Sequence, residues 1–258
     1  MFLAVDVGNT NIVLGVFEGA RLAASFRLSS DRGRTADEYG IQMQQFMAHL
    51  GIPLESLAGA IISSVVPPLN ETMEKAVRDY CGIASPLQLG PGVRTGLSIK
   101  IENPKEVGAD RVCDAVAVSE LYGSPAIVVD FGTATTFSAV DSDGAFIGGA
   151  IAPGVMTAGD ALFSKASKLP RVDIAKPKAA IGKNTVAAMQ SGIFFGAIGM
   201  VEKIVRRMKH EMGEGEVKVI ATGGLAGLIA KETAAIDLVD PDITLHGMRI
   251  IYERNVSS

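Results

Sequence analysis

Apolar and polar positions along the chain follow two patterns, and together they predict an α/β protein. Short runs that are apolar throughout are typical of strands buried on both faces of a sheet. Three such runs are 59–63, 126–129 and 217–221. Runs on either side of the tight turns Glu18-Gly19 and Asp143-Gly144 predict hairpin strands. These runs are 12–17, 21–27, 137–140 and 146–151.

Between the strands, apolar residues recur every three or four positions, which predicts helices. The predicted helices cover 38–50, 69–81, 106–122 and 185–212. Thr35, followed three residues later by Glu38, has the spacing of a capping box at the beginning of the first helix. The most apolar stretch of the last helix, Gly192–Val201, is too short to span a bilayer.

An internal repeat divides the pattern into halves. Val5–Asn11 and Val129–Thr135 both run from an apolar strand into Asp-x-Gly and then into small polar residues, and 124 residues separate Asp6 from Asp130. Each loop is followed by a strand, a tight turn and another strand. The match of loop, hairpin and spacing predicts two duplicated α/β domains, at 1–118 and 119–258, each with a mixed sheet flanked by helices.

Composition narrows the class of protein. The chain is 48% hydrophobic with a net charge of −4, which excludes a disordered chain and gives no basic footprint for nucleic acid. Cys81 and Cys113 lack CxxC spacing, so both are expected to be reduced thiols. The N-terminus lacks the pattern of a signal peptide. We therefore expect a cytoplasmic protein with no nucleic-acid or membrane partner.

The first candidate site is the loop Asp6-Val7-Gly8-Asn9-Thr10-Asn11. A carboxylate at the end of a buried strand is costly unless a cation or donors accompany it. Glycine lets main-chain N–H groups turn toward an anion, and the side chains of Asn9, Thr10 and Asn11 add donors. Asp6 suits Mg²⁺, directly or through water. The alternative is a hairpin capped by an aspartate, which the repeat disfavours.

Two further loops have related compositions. Asp130-Phe131-Gly132-Thr133-Ala134-Thr135-Thr136 offers three threonine hydroxyls for phosphate or a cation, although a threonine-rich strand is the plainer interpretation. Ala221-Thr222-Gly223-Gly224-Leu225-Ala226 lies between a strand and the start of a helix, where main chain could approach adenine or ribose, although a simple strand–helix connection is the alternative. No GxGxxG or GxxxxGK[ST] motif is present, which disfavours a dinucleotide cofactor and a P-loop.

These three loops, in this order, resemble the phosphate-1, phosphate-2 and adenosine motifs of the actin/hexokinase/acetate-kinase superfamily. That resemblance implies the actin-like, ribonuclease H-like ATPase fold, with ATP bound between two domains. The segment Asn103-Pro104 to Gly108-Ala109-Asp110-Arg111 resembles the signature of type III pantothenate kinases. Further resemblances to that family lie at 6–13, 91–97, 130–136 and 182–185.

The resemblance implies an ATP-dependent kinase that phosphorylates pantothenate to 4′-phosphopantothenate, the first step of coenzyme A biosynthesis. It implies that Asp110 is the catalytic base, that Gly108, Ala109, Asp110, Arg111 and Thr185 contact pantothenate, and that Asp130 binds a monovalent cation, K⁺ or NH₄⁺. It assigns ATP binding to Asp6, Val7, Gly8, Asn9, Thr10, Asn11, Ile12, Val13 and Thr133. It also implies Mg²⁺ with ATP, and a homodimer whose active site draws on both subunits.

Two alternatives stay open at this point. A sugar or acetate kinase, or a polyphosphate phosphatase, would share the fold, but such chains are usually longer. A regulatory or accessory binding protein of the same family would share the motifs without catalysis. The presence of Asp6, Asp110 and Asp130 together disfavours the second, because a non-catalytic protein has no chemical need for three carboxylates.

Overall fold

The structure is a computed structural model that describes residues 1–213 and 215–256. The chain forms two compact units. The first contains Met1–Leu97, Asn103–Ala117 and the chain from Ile243 onward, and the second contains Ser98–Glu102 and Val118–Asp242. The domain limits 1–118 and 119–258 stay a prediction, while the contacts of the structure group the last helix with the first unit.

Within residues 1–213 and 215–256, ten strands form two five-stranded sheets, one in each unit. They are β1 (Phe2–Val7), β2 (Asn11–Glu18), β3 (Arg21–Ser29), β4 (Ala60–Ser64), β5 (Leu87–Gln88), β6 (Ala126–Phe131), β7 (Ala134–Val140), β8 (Phe146–Pro153), β9 (Lys218–Gly223) and β10 (Leu238–Val239). Their orders are β3-β2-β1-β4-β5 and β8-β7-β6-β9-β10. In each sheet the first three strands of the unit are antiparallel, the fourth pairs with the first in parallel, and the fifth pairs with the fourth in parallel. The predicted duplication is therefore confirmed.

The helices of the described residues complete the two units. They are α1 (Ala36–His49), α2 (Asn70–Cys81), α3 (Ala109–Leu121), α4 (Val155–Lys165), α5 (Thr185–Met212), α6 (Ala226–Ile229) and α7 (Ile243–Val256). The capping box before α1 is confirmed: the Glu38 N–H donates to Thr35 Oγ1 at 3.2 Å, and the Thr35 N–H donates to a Glu38 carboxylate oxygen at 2.7 Å.

Each sheet carries its own apolar core. In the first unit, α1 and α2 pack together beside the sheet, and α7 contacts β1, β2 and β4. Leu3, Val5 and Ile62 lie in this core without exposure to solvent. In the second unit, Val129 and Phe137 of the sheet pack with Phe194 of α5. The central strands β1, β4 and β6 therefore have apolar, buried residues in succession, as their sequences predict.

Helix α5 is, among the described residues, the one helix long and apolar enough to cross a membrane by length and composition, and 33% of its most apolar stretch is buried. Its buried residues, which include Ile193, Phe194, Ile198, Val201 and Val205, belong to the core of the second unit. This burial is the behaviour of an amphipathic core helix.

Several elements differ from the sequence prediction: the short strands β5 and β10 were not predicted, and helices α3, α4 and α7 also differ. Helix α3 begins at Ala109 rather than 106, because Pro104–Glu106 forms a separate 3-10 turn capped by Asn103 and Val107 is extended. Helices α4 and α7 were not predicted from the sequence. Both have a glycine in their interior, Gly159 and Gly247, which weakens a helical pattern. Tertiary packing supplies the stability that local propensity lacks.

Candidate active site

The first aspartate loop connects β1 to β2. Asp6, half-buried, pairs with Val13 on β2 and with Ser63 on β4. The Gly8 N–H donates to the Asn11 carbonyl at 3.0 Å, and a Cβ at Gly8 would lie 2.9 Å from that oxygen. Glycine therefore permits a very tight turn at this position. The result is a rigid hairpin end whose polar side chains face solvent.

The predicted ATP-binding residues of this loop have different surroundings. Asn9, Thr10 and Asn11 have exposed side chains, whereas Val7 and Ile12 lie wholly within the core. Neither the side chain nor the main chain of Val7 and Ile12 is exposed in this structure. The Ser30 N–H donates to the Thr10 carbonyl at 3.0 Å and fixes the turn from the neighbouring strand.

The substrate motif Gly108–Arg111 lies at the beginning of α3. Asp110 Oδ1 accepts a hydrogen bond from the Arg111 N–H at 2.7 Å. A Cβ at Gly108 would lie 2.5 Å from the same carboxylate oxygen, so the Asp110 side chain occupies space that only glycine leaves open. Gly108 and Asp110 thus depend on each other in the motif, because any side chain at position 108 would collide with the Asp110 carboxylate.

Burial dominates the electrostatics of this motif. It raises the pKa of the Asp110 carboxyl, and the Arg111 N–H and guanidinium oppose the shift. Burial also lowers the pKa of Arg111, against the opposing charges of Asp110 and Asp114. A carboxylate with a raised pKa is a stronger base than an exposed one.

The first aspartate loop and the predicted substrate motif are linked through Val65 in the first unit: the Val65 N–H donates to the Val7 carbonyl at 3.0 Å, and a Cβ at Gly108 would lie 3.6 Å from Val65 Cγ1. The thiol of Cys113 is completely buried, and burial raises its pKa well above the ordinary value, with further contributions from the carboxylates of Asp6, Asp114 and Asp110. Cys113 is therefore held as a neutral thiol.

The second aspartate loop has the equivalent place in the second sheet. Asp130 is half-buried and pairs with Thr136 on β7 and Thr222 on β9. Gly223 has φ of +88°, and a Cβ there would lie 2.5 Å from Asp130 Oδ1; a Cβ at Gly132 would lie 3.3 Å from Oδ2. Both carboxylate oxygens therefore lie against glycine main chain, which leaves room around them that a side chain would fill.

The threonines of this loop are not equivalent. Thr133 is exposed, and its carbonyl accepts hydrogen bonds from the Gly154 N–H at 3.2 Å and from Thr157 Oγ1 at 2.6 Å. Thr135 is fully buried and donates to the Pro153 carbonyl at 3.4 Å. The expectation that three hydroxyls serve a phosphate or cation is therefore wrong for Thr135. Its role is to join β7 to β8.

Thr185, the predicted substrate contact in the second unit, is the first residue of the 28-residue helix α5 and is exposed. Asn184 caps the helix by accepting from the Ala187 N–H at 2.8 Å. A Cβ at Gly182 would lie 2.3 Å from the Ala188 nitrogen. The Gly-Lys-Asn-Thr segment thus presents Thr185 at a helix N-terminus, where anionic groups are favoured.

The described residues contain no group of three or more His, Cys, Asp or Glu side chains that could hold a metal ion. Single carboxylates are present at the ends of β1 and β6. Mg²⁺ in kinases is usually held by one or two carboxylates together with substrate phosphates. The half-buried Asp6 fits that mode, and Asp130 offers a second half-buried carboxylate that lies against the main chain of Gly223 and Gly132.

The two repeated sheets, each with an aspartate at a tight loop, are those of the actin-like, two-domain ATPase fold. A solved structure of a protein proposed to be a 2-dehydro-3-deoxygalactonokinase, from Sinorhizobium meliloti, has the same fold with a TM-score of 0.55 and 13% identity, over 100% of this chain and 98% of that one. The likeness establishes the fold and no more.

Sequence comparison identifies the particular family. The family model for type III pantothenate kinase matches residues 2–207. A type III pantothenate kinase from Moorella thermoacetica is 56% identical over 255 residues, which cover 99% of this chain and 100% of that protein. The chain belongs to the type III pantothenate kinase family, whose members phosphorylate pantothenate in coenzyme A biosynthesis.

Another solved structure resembles the whole chain. It is that of a protein proposed to be a Baf family transcriptional activator from Campylobacter jejuni, with a TM-score of 0.62 and 20% identity, over 100% of both chains. At this identity the likeness concerns the fold alone. It gives no support to the accessory-protein alternative for this chain.

Proposed function

We propose that this protein transfers the γ-phosphoryl group of ATP to the 4′-hydroxyl of pantothenate. The observation that carries the proposal is the match to the type III pantothenate kinase family over 99% of the chain. The first unit supports it, because Val65, directly after strand β4, links the loop of Asp6 to the motif of Asp110. Phosphoryl transfer to an alcohol uses groups that position the phosphates and a residue that orients or deprotonates the hydroxyl.

Asp110 is the base in this proposal. It orients the attacking hydroxyl and accepts its proton as the bond to phosphorus forms. Phosphoryl transfer has a loose transition state, so proton removal can lag behind bond formation and a carboxylate suffices. The hydrogen bond from the Arg111 N–H to Asp110 Oδ1 fixes the carboxylate at the beginning of α3.

Pantothenate binding is assigned to Gly108, Ala109, Arg111 and Thr185, together with Asp110. Pantothenate carries a carboxylate, and a guanidinium recognises carboxylates through charge-assisted hydrogen bonds. The half-buried position of Arg111 strengthens this attraction, because screening by water is weaker there. Thr185 contributes a hydroxyl at the beginning of α5.

ATP binding is assigned to residues 6–13 and to Thr133. The exposed Asn9, Thr10 and Asn11 offer side-chain donors, and the turn at Gly8 offers main-chain N–H groups. Asp6 would hold Mg²⁺, directly or through water, and the ion when bound offsets the charge of the phosphates. Asp130 would hold K⁺ or NH₄⁺, for which its all-oxygen surroundings are suited.

The proposed assembly is a homodimer that works in the cytoplasm. Large apolar side chains are exposed on neighbouring parts of the second unit, among them Ile151 of β8, Met156 and Phe163 of α4 and Phe195 of α5. A groove of about 650 Å³ between β8 and α5 adds Ile147 and Met208 to this surface. Burial of such a surface by a second copy would remove apolar area from water.

The function is tested by measuring ATP consumption with purified protein and pantothenate, in K⁺ buffer with Mg²⁺. The same assay with acetate and with glucose tests the alternative that the fold serves another acceptor. We expect turnover with pantothenate alone and a phosphorylated product of the mass of 4′-phosphopantothenate. Turnover with acetate or glucose and none with pantothenate would overturn the proposal.

The monovalent cation is tested separately. Activity should be low in Na⁺ or Tris buffers and should rise with K⁺ or NH₄⁺. Asp130→Ala should abolish that response. Equal activity of the unsubstituted protein in all these buffers would remove the cation from the mechanism while leaving the substrate assignment intact.

A further inference from the structure

Helix α3 contains, one turn after Asp110 and Arg111, a charged residue that the proposed mechanism leaves unused. Asp114 is 2% exposed. Burial of a carboxylate is costly unless hydrogen bonds or an opposite charge compensate it. The partners of Asp114 therefore indicate what this side chain is for.

The first partner is a hydroxyl on another helix. Thr244, in the first turn of α7, donates from Oγ1 to Asp114 Oδ1 at 2.7 Å. Three residues further on, a Cβ at Gly247 would lie 2.0 Å from the Cys113 carbonyl oxygen. Helices α3 and α7 therefore meet with their main chains in contact, and the hydrogen bond fixes Asp114 at this crossing.

Asp114 also acts electrostatically on Arg111, three residues before it on α3. Residues three apart on a helix lie on the same face, one turn from each other. Burial lowers the pKa of the half-buried Arg111 guanidinium, and the negative charges of Asp110 and Asp114 oppose that shift. Two acids therefore act on Arg111: Asp110, the proposed base, and Asp114, which lies where α3 crosses α7.

We propose that Asp114, anchored by Thr244, is a positioning residue that holds the Arg111 guanidinium in place for the carboxylate of the acceptor substrate. The negative charge is essential to this role, because a neutral amide could keep the hydrogen bond with Thr244 but would exert no comparable attraction on Arg111. The inference rests on the proposed function, since Arg111 is the residue assigned to the substrate carboxylate.

The decisive variant is Asp114→Asn, which keeps the shape and the acceptor for Thr244 and removes the charge. We expect the KM for pantothenate to rise about tenfold or more, the size of one weakened charge-assisted contact. The KM for ATP should stay within about twofold. The matched control is Asp240→Asn, because Asp240 is also buried and accepts from a hydroxyl, Tyr122, at 2.8 Å, but lies in the second unit. Its kinetics should not change.

The Thr244 anchor gives an independent variant, which keeps the test usable if Asp114→Asn does not fold. Thr244→Val removes the hydroxyl and keeps the volume, so it should raise the KM for pantothenate in the same direction by a smaller factor. Thr244→Ser restores the hydroxyl and should restore the KM. A Thr244→Ser variant as impaired as Thr244→Val would contradict the anchoring role.

A purely structural role predicts a different result. In that case Asp114→Asn would lower the melting temperature and leave both KM values within about twofold, or raise both together, and either outcome overturns the proposal.

A substrate-free readout is the thermal double-mutant cycle of Asp114→Asn with Arg111→Gln. Non-additive shifts in melting temperature support the pairing, and additive shifts contradict it. This cycle is informative even if pantothenate is not the substrate, whereas absence of turnover by the unsubstituted protein would refute the proposed function alone.

Discussion

The Asp110 carboxyl has its pKa raised by burial, and Arg111 opposes that shift. Asp110→Asn keeps the shape of the side chain and removes the basicity. It should lower kcat by roughly 10²–10⁴, the usual contribution of a positioned general base. ATP binding, measured by calorimetry, should be nearly unchanged, because no phosphate contact is lost. A variant with normal kcat would show that Asp110 is not the base.

The same burial makes a prediction about stability. Because the folded-state pKa of Asp110 is raised, the charged carboxylate costs stability at neutral pH, and protonation removes the cost. Asp110→Asn should therefore melt at a higher temperature than the unsubstituted protein at pH 7. The gain should shrink as the pH falls toward the ordinary carboxyl pKa of 3.8. Equal melting temperatures at pH 7 would mean that Asp110 is well solvated.

Single residues also show what the sequence can and cannot predict. The motif residues Asp6, Asp110 and Asp130 are recognisable because strand ends and glycines mark them. The Asp114–Thr244 hydrogen bond joins residues 130 positions apart, and no local pattern indicates it. The polar motif predicted that the Thr135 hydroxyl could serve a ligand. The side chain is buried instead, because alternate residues of a strand point to opposite faces of the sheet.

At the scale of elements, the end of β9 packs closely against the end of β6. Gly223 has φ of +88°, and a Cβ there would meet Asp130 and the Phe131 main chain. Gly223→Ala should destabilise the protein by about 1–3 kcal/mol through backbone strain and contact, and it should weaken the response to K⁺. Thermal unfolding and a K⁺ titration of activity measure the two effects.

Gly224 provides the matched control for this substitution. A Cβ at Gly224 would meet nothing within 4 Å, and its backbone is not in the left-handed region. Gly224→Ala should therefore leave both the melting temperature and the K⁺ response nearly unchanged. Equal effects of the two substitutions would show that the fit between Gly223 and Asp130 is unimportant.

The elements themselves were predictable to different degrees. The hairpins and α1 follow from turn residues and the capping box, whose interactions are local. Helix α4 was not predicted, although Gly154 at its beginning donates to the Thr133 carbonyl and so supports the second loop. Its stability comes from contacts with β7 and α5, which the sequence of α4 alone does not express.

At the scale of the whole molecule, the duplication could be read from the sequence because both halves keep the same order of strand, loop and hairpin. The packing of α7 in the first unit could not be predicted, because the sequence pattern of a helix does not indicate which sheet the helix covers. In the structure, α7 lies on the first sheet, where Tyr252 stacks on Phe2 with ring centres 4.6 Å apart.

The exposed apolar surface of the second unit predicts the assembly. Ile151, 69% exposed on the edge strand β8, should be buried by a second copy. Ile151→Glu should therefore convert a dimer into a monomer in light scattering across a dilution series. Ile41→Glu, at an exposed position on α1 of the first unit, should leave the dimer intact. A monomeric unsubstituted protein with full activity would contradict a site shared between subunits.

The most direct test of the account is the paired titration of Asp6→Asn and Asp110→Asn with each ligand, alongside steady-state phosphorylation of pantothenate. Asp6→Asn should weaken productive Mg²⁺–ATP binding, with partial rescue by added Mg²⁺, and should keep pantothenate binding. Asp110→Asn should keep ATP binding and lose turnover. If both variants lost the same ligand, or if both kept normal turnover of pantothenate, the division of labour between the two carboxylates would be refuted.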